Sequence, residues 1–496
     1  MMQDFISYSV LILYSFCLLM IFGYSLSHLS LLFSYLKLQK ENKAVQKIDE
    51  IPEADLPFIT IQLPVYNEKY VMKRLLHRFA EIDYPINKFE IQVLDDSTDD
   101  SFFQNKKIIE EIAATGIDMK HVTRASRSQF KAGALKEGLK KAKGEFIAIF
   151  DADFLPPTDW LKKTIQHFND ERIGMVQTRW GHLNRDYSLL TKVQAFALDA
   201  HFTLEQSGRN ARGYFMNFNG TAGMWRKQCI LEAGNWRGDT LTEDLDLSYR
   251  AQLIGWKFKY VEDVVAPAEL PVVMSATRSQ QYRWNKGGAE NFVHLFKRII
   301  FSKNISFSKK MHGLFHLGNS SMFLFVFIIA LLSVPVLYIK KLHPEFIWLF
   351  NINGIFIVST IIFFISYWIV YKKIHSKEPH KLMAYIKLFF SYFTIALGFS
   401  FHNSLAIAQA YGGRKTDFIR TPKFNIQRKG DSWKGNGYMN ERISWKIVVE
   451  ILLCLYFAFG LFSAFYLKDF GLFIFHAMLF TGFAFVVYLT FKTRAS

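Results

Sequence analysis

Glu145-Phe-Ile-Ala-Ile-Phe-Asp151-Ala-Asp153 is the stretch on which the fold turns. The run from Phe146 to Phe150 is short and wholly apolar, so it reads as a strand buried on both faces. Asp151-Ala-Asp153 makes a poor turn after it, with two carboxylates one residue apart where the chain has just left the core. The same pair makes a good holder for a divalent cation. Hard oxygen ligands suit Mg2+ or Mn2+, and a cation held there can bridge to a diphosphate.

Outward from this stretch the pattern repeats. Strands are predicted at Phe58–Leu63, Phe89–Leu94, Met119–Thr123 and Glu145–Phe150, with amphipathic helices at Glu68–Ile82, Ser101–Ala114 and Lys131–Ala142 between them. This alternation predicts an α/β domain with a mostly parallel sheet. Ligands of such sheets bind beyond the carboxyl ends of the strands. Leu63-Pro-Val-Tyr66-Asn-Glu68 comes after the first strand and Asp95-Asp96-Ser-Thr-Asp99-Asp100 after the second, so carboxylates recur at the edge where a ligand belongs. Asp, Ser and Asn are also ordinary turn and cap residues, and for the second loop that plain reading stands beside the functional one.

Further on, Thr242-Glu243-Asp244 opens a helical pattern through Leu247, Ala251 and Ile254, a place where carboxylates often serve only as dipole partners. Gln280, Arg283 and Trp284 are spaced i, i+3, i+4 and share one helix face. A core-facing helix does not put that trio on its buried stripe, although a membrane-surface helix can carry Trp and Arg at the headgroups.

The 496 residues are half apolar, with 50 Phe, yet 21% are charged. One polar and one apolar domain fit those figures better than a soluble enzyme or a purely membrane protein. The net charge of +17 clusters beside hydrophobic runs, with no basic-aromatic stripe elsewhere, which favours a membrane surface over nucleic acid. Cys17, Cys229 and Cys454 are scattered and compose neither a disulfide framework nor a zinc pattern.

The run from Phe5 to Tyr35, ending in Lys37, Lys40 and Lys43, lacks a cleavage site and reads as a retained anchor over 1–43. Further spans are expected at Gly313–Ile339, Phe346–Tyr371, Trp445–Leu467 and Phe470–Phe491. Another apolar stretch, Leu382–Ala410, lies between Lys372, Lys373 and Lys377 on one side and a basic segment from Arg414 to Lys446 on the other. The positive-inside rule holds both flanks on the inner side, so this stretch is expected to be interfacial or re-entrant. That gives five spans with the N-terminus outside, and six is the competing count. Almost no charge falls inside the spans, which argues against a transporter or a sugar-sensing subunit.

The Asp pair, Asp-x-Asp, Thr-Glu-Asp and Gln-x-x-Arg-Trp, in this order and spacing, resemble the processive family 2 glycosyltransferases. Phe218-Asn-Gly-Thr-Ala-Gly-Met-Trp-Arg226, Lys131-Ala-Gly-Ala-Leu135 and Leu198-Asp-Ala-His-Phe-Thr-Leu-Glu-Gln206 are similar to the cellulose synthase-like A and C branch of mannan and glucan synthases. Phe418-Ile-Arg-Thr-Pro-Lys423 resembles the Phe-x-Val-Thr-x-Lys gating loop of cellulose synthases, with Arg420 replacing the usual Val.

The resemblance implies a cytosolic glycosyltransferase-A fold, Rossmann-like with a mostly parallel sheet, over 44–270. It implies interfacial helices over 271–311 and an α-helical transmembrane channel over 312–496, with a cytosolic gating loop near 411–445. The implied activity is inverting transfer of a hexose from a nucleotide sugar, UDP-glucose or GDP-mannose foremost, to a growing β-linked mannan or glucan. Transfer to a membrane lipid is the alternative. Asp153 with Asp151 would hold Mg2+ or Mn2+. Tyr66, Glu68, Asp95, Asp96 and Lys131 would meet the nucleoside, and Gln280, Arg283, Arg420 and Lys423 the diphosphate. Asp244, beside Thr242 and Glu243, would be the base, kept ionised by its place at a helix start. Trp284 would face the acceptor sugar, with Asn219, Gly220 and Thr221 as acceptor wall or as a tight structural turn.

The donor's base and any accessory subunit stay open. Composition suggests a bacterial inner membrane with the catalytic domain in the cytoplasm, and nothing after the last span resembles a cyclic-dinucleotide sensor. His201 and His402 lack partners at metal-ligand spacing, so no zinc role is expected. Trp180, Trp225 and Trp236 suit either a groove or the core.

Overall fold

A computed structural model describes residues 2–41, 51–376, 379–438 and 444–494. Lys43, Lys377 and the last part of the expected gating loop lie outside the described residues.

The polar domain is built on a seven-stranded sheet in the order β3-β2-β1-β4-β6-β5-β7. The strands are β1 Ile59–Val65, β2 Phe89–Asp95, β3 Met119–Val122, β4 Phe146–Ile149, β5 Ile173–His182, β6 Gly223–Arg226 and β7 Lys257–Ala268. β1, β2, β3 and β4 pair in parallel, as do β5 and β7, while β6 runs antiparallel to both its neighbours. The four predicted strands are present within two residues of their expected bounds. β5, β6 and β7 were not expected.

Burial on both faces forces the parallel strands to satisfy their own polar side chains. Thr60 and Gln62 of β1 are fully buried. The Thr60 hydroxyl donates to Glu90 Oε1 at 2.8 Å, and Glu90 also takes the Lys120 ammonium at 2.8 Å. One core packs Leu63, Phe79, Phe150 and Trp160 on one side of the sheet. The other packs Leu135, Ile147, Trp225 and Trp236 on the opposite side.

The register sets the site. Val65 pairs with Asp95, and Gln62 with Ile149, so β1, β2 and β4 end close together and their loops emerge side by side.

Among the described residues six helices are long and apolar enough to cross a membrane: Asp4–Glu41, Phe307–Leu342, Pro344–Ile374, Lys381–Gly398, Trp445–Leu467 and Phe473–Thr493. The chain is a multi-pass membrane protein. The ambiguous stretch resolves into two helices, Lys381–Gly398 and Ser400–Tyr411. The first packs on Phe473–Arg494 and on Leu189–Ala200 of the polar domain, the second on Met274–Ile300 and Ser321–Leu342. Helix Met274–Ile300, which carries Gln280, Arg283 and Trp284, thus lies between the sheet domain and the apolar bundle.

Candidate active site

A cavity of about 180 Å3 opens at the carboxyl edge of the sheet. Tyr66, Glu68, Asp96, Lys131, Asp151 and Asp153 line it from the polar domain, and Gln280, Arg283 and Trp284 from the long helix. Arg420 and Lys423 close it from the loop after Tyr411. Residues as far apart in the chain as Tyr66 and Lys423 therefore face one space.

Strand alternation separates the two aspartates at the end of β2. Asp95 is buried beneath the edge, accepting from Ser97 N and Asn105 Nδ2 at 2.9 Å and from His121 Nε2 at 3.0 Å. Burial opposes its ionisation, but these hydrogen bonds outweigh it and hold the carboxyl below its usual range. Asp96 turns the other way, into the cavity, where Arg124 clasps it with Nε at 2.7 Å and Nη2 at 2.6 Å. Beside it the Arg127 guanidinium lies 3.3 Å from the centre of the Tyr66 ring. Arg124 and Arg127 were missed in the sequence. They come directly after β3, so the rule applied to the other strand ends would have found them.

Each carboxylate of the Asp-x-Asp pair meets an ammonium. Lys131 Nζ lies 2.6 Å from Asp151 Oδ1, and Lys423 Nζ lies 2.6 Å from Asp153 Oδ1. Burial raises Asp151, yet Lys131 and Lys423 outweigh it and keep the carboxyl low. Glu68 bridges to the same loop, with Arg420 Nη1 at 2.7 Å and Lys423 at 3.6 Å. The loop is pinned along its length. Lys286 donates to Arg414 O and Thr416 Oγ1, both at 2.6 Å. Arg283 donates to Thr421 Oγ1 at 2.8 Å, and Glu269 takes Phe424 N at 2.9 Å.

Asn219-Gly220-Thr221 divides its work. Thr221 is buried away from both cavities, and its hydroxyl accepts from Asp151 N at 2.9 Å. The Gly220 carbonyl accepts from Lys131 at 2.7 Å. Gly220 has φ +80°, and a Cβ there would sit 3.0 Å from Asp244 Oδ2, so conformation and space both demand glycine. Asn219 alone of the three turns its side chain to the cavities while also meeting His201.

Thr242-Glu243-Asp244 enters helix Glu243–Leu253 and is tied to the long helix. Asn291 Nδ2 donates to Thr242 Oγ1 at 2.9 Å, and Gly287 leaves no room for a Cβ against Thr242. The helix-start argument for a low Asp244 pKa fails. Burial in the cavity, then the Glu243 carboxylate, pushes Asp244 up to about 7, despite Lys131 and the Leu245 amide. Desolvation outweighs a few partial charges at a helix end.

A second cavity, of about 490 Å3, begins at Asp244 and Trp284 and runs between the apolar helices. Trp180, Leu198, Asn219 and Thr242 also border both spaces. Tyr24, Phe323, Phe363 and Tyr392 line its far part. Trp225 and Trp236 belong to the core. His402 is buried, with Nε2 3.0 Å from Arg278 O, while His201 faces the second cavity.

The donor set fits a divalent cation held in part by substrate. Among the described residues no group of three or more His, Cys, Asp or Glu converges on one point. The two hard carboxylates of Asp151 and Asp153 both line the cavity, and at Asp153 the Lys423 ammonium already stands where a cation is wanted.

Residues 57–287 match the family described as "Glycosyltransferase like family 2", so this domain is a family 2 glycosyltransferase domain. The chain is 39% identical over 304 residues to a probable glucomannan 4-beta-mannosyltransferase 6 of Oryza sativa subsp. japonica, covering 59% of this chain and 53% of the relative. It is 40% identical over 272 residues to glucomannan 4-beta-mannosyltransferase 2 of Arabidopsis thaliana, covering 54% of this chain and 51% of the relative. It thus spans about half the length of the curated relatives it matches. The solved mannosyltransferase PcManGT of Pyrobaculum calidifontis, in complex with GDP-Man and Mn2+, superposes with a TM-score of 0.49 at 18% identity, over 73% of this chain and all of that one. That likeness is too loose to bear on ligands here.

Proposed function

We propose that this chain, built on a family 2 glycosyltransferase domain, transfers a hexose with inversion from a nucleotide sugar to a growing β-linked polysaccharide of mannan or glucan type, which leaves through its spans. One observation carries the reading: the carboxylate-and-cation cavity and the cavity between the apolar helices meet at Asp244 and Trp284. A donor on one side and an acceptor on the other would react where the two spaces join.

In this reading the nucleoside lies against Tyr66 and Asp96, with Arg127 and Arg124 as their partners. Lys131, Arg283, Arg420 and Lys423 surround the diphosphate and draw off the charge that gathers as it leaves. Asp151 and Asp153 would hold Mg2+ or Mn2+, which when bound supplies Lewis-acid neutralisation of the diphosphate. Lys423 then exchanges the Asp153 carboxylate for a phosphate oxygen. Asp244 takes the proton of the acceptor hydroxyl as that oxygen forms its bond to the anomeric carbon and the bond to the diphosphate breaks. A pKa near 7 suits a base that must be both ionised and basic at neutral pH. Trp284 offers its ring face to the acceptor sugar.

The matched relatives are named as mannosyltransferases, which supports mannose over glucose as the sugar and so favours GDP-mannose of the two donors considered. The basic flanks of the apolar helices support a cytoplasmic catalytic domain in the cell's inner membrane, with Lys381–Gly398 as an interfacial rather than crossing helix. Purified protein in bilayer nanodiscs, given Mn2+ or Mg2+ and each donor in turn, should release nucleoside diphosphate from one of them. Asp244→Asn should abolish that release. Equal release by the variant, or none from either donor, refutes the reading.

A further inference from the structure

Just before helix Ser207–Arg212, residues His201–Gln206 form a π-helical turn, buried except for His201, which faces the second cavity. Such widened turns are uncommon and cluster at functional sites. Here the widening has a definite result, because it brings residues i and i+5, His201 and Gln206, onto one neighbour. That neighbour is Asn219.

Gln206 Nε2 donates to Asn219 Oδ1 at 2.8 Å and to Asn217 O at 2.9 Å. His201 Nε2 lies 3.1 Å from Asn219 Nδ2, and His201 Nδ1 lies 3.2 Å from Glu205 Oε2. Glu205 is buried and also takes Arg209 Nη2 at 2.8 Å, with His28 Nδ1 at 3.8 Å from its other oxygen. An ionised Glu205 accepts the Nδ1 proton, which leaves Nε2 as an acceptor for the Asn219 amide. The backbone N of Asn219 donates to Gln177 Oε1 at 3.0 Å. Both ends of the carboxamide are therefore fixed, and Asn219 lines both cavities together with Asp244.

We propose that His201, oriented by Glu205, is a positioning residue that locks the Asn219 amide so that its remaining N–H binds a hydroxyl or ring oxygen of the terminal acceptor sugar. The proposal rests on the acceptor lying in the second cavity. Without the ring acceptor only Gln206 still holds the carboxamide, at its oxygen, and the nitrogen that must donate to the sugar loses its fixed partner.

The test measures KM for the donor, KM for a soluble β-linked hexose oligosaccharide as acceptor, and hydrolysis of the donor by water. His201→Phe keeps the volume but removes the acceptor nitrogen. His201→Gln can still accept from Asn219 and donate to Glu205. His201→Phe should raise the acceptor KM about tenfold, the effect of one lost hydrogen bond to the sugar, and leave donor KM and hydrolysis unchanged. His201→Gln should restore the acceptor KM to within about threefold of the parent. Asn219→Ala is the control on the underlying reading. If it leaves the acceptor KM unchanged, the acceptor does not lie at Asn219 and the proposal falls with that reading. If Asn219→Ala raises the acceptor KM while His201→Phe does not, or while the Gln and Phe variants are equally impaired, the relay itself is wrong. A donor KM that rises in step with the acceptor KM would mean general distortion and also overturn it.

Discussion

Replacing Glu243 by glutamine should slide the acid limb of the pH–rate profile toward lower pH. Asp244 stands at about 7, raised first by burial and next by the Glu243 carboxylate beside it. The proposed base must be ionised, so kcat/KM should rise about tenfold per pH unit below 7 and level off above it. Glutamine keeps the shape of Glu243 and removes its charge, so the Asp244 carboxylate is penalised less and its pKa falls. A fall of about one unit, or about 1.4 kcal/mol, takes the ionised fraction at pH 6 from about one tenth to one half. The ratio of rates at pH 6 and pH 8 should therefore rise about fivefold. Taking the ratio within each variant makes the result independent of any change in the maximal rate. Lys131→Met removes a cation that lowers the same pKa and should move the limb the other way. The assay is initial-rate release of nucleoside diphosphate at low donor concentration from pH 5 to 9. A parent limb below about pH 5, or a limb that rises in Glu243→Gln, would refute the assignment of Asp244 as a buried, charge-coupled base.

Lys423→Met should act with opposite signs on two ligands. Donor KM should rise by about tenfold, for the loss of one charged contact, while Mn2+ binding to the donor-free protein should tighten because Asp153 loses its ion pair; electron paramagnetic resonance titration of Mn2+ reads the second effect. Thr221→Val should strand the Asp151 amide and destabilise the polar domain by about 1–3 kcal/mol, read as an earlier melt. Arg278→Met should leave Glu450 buried without the guanidinium that now stands 2.5 Å away, at a cost of about 3–5 kcal/mol, and pairing it with Glu450→Leu should recover most of that loss.

The strands that were legible in the sequence are those whose apolar runs are uninterrupted and whose faces are both buried. β5 is broken by Gln177 and Arg179, and β7 opens with the exposed Lys257 and carries Glu262 and Asp263 in mid-strand, so neither shows a clean period. β6 has four residues and no pattern of its own. The carboxylate loops were legible because they sit directly after strands. Which of Asp95 and Asp96 faces the ligand was not, since it depends on where the strand ends relative to its pleat. The Asp244 pKa was misread because a helix start is visible in sequence and desolvation is not. His201 was passed over because it was weighed only as a zinc ligand, whereas its partners are a glutamate four residues on and an asparagine from a distant loop.

The most direct test of a processive, polymer-building transferase is the fate of a radiolabelled sugar. Protein in bilayer nanodiscs is given GDP-[14C]mannose or UDP-[14C]glucose with Mn2+, and the product is divided into lipid-extractable and ethanol-insoluble fractions. The expected result is label in an insoluble chain that a β-glycanase degrades, from one donor, and none in the Asp244→Asn variant. Label confined to a single sugar on lipid, or a chain resistant to β-glycanases and cut by α-glycosidases, would contradict it.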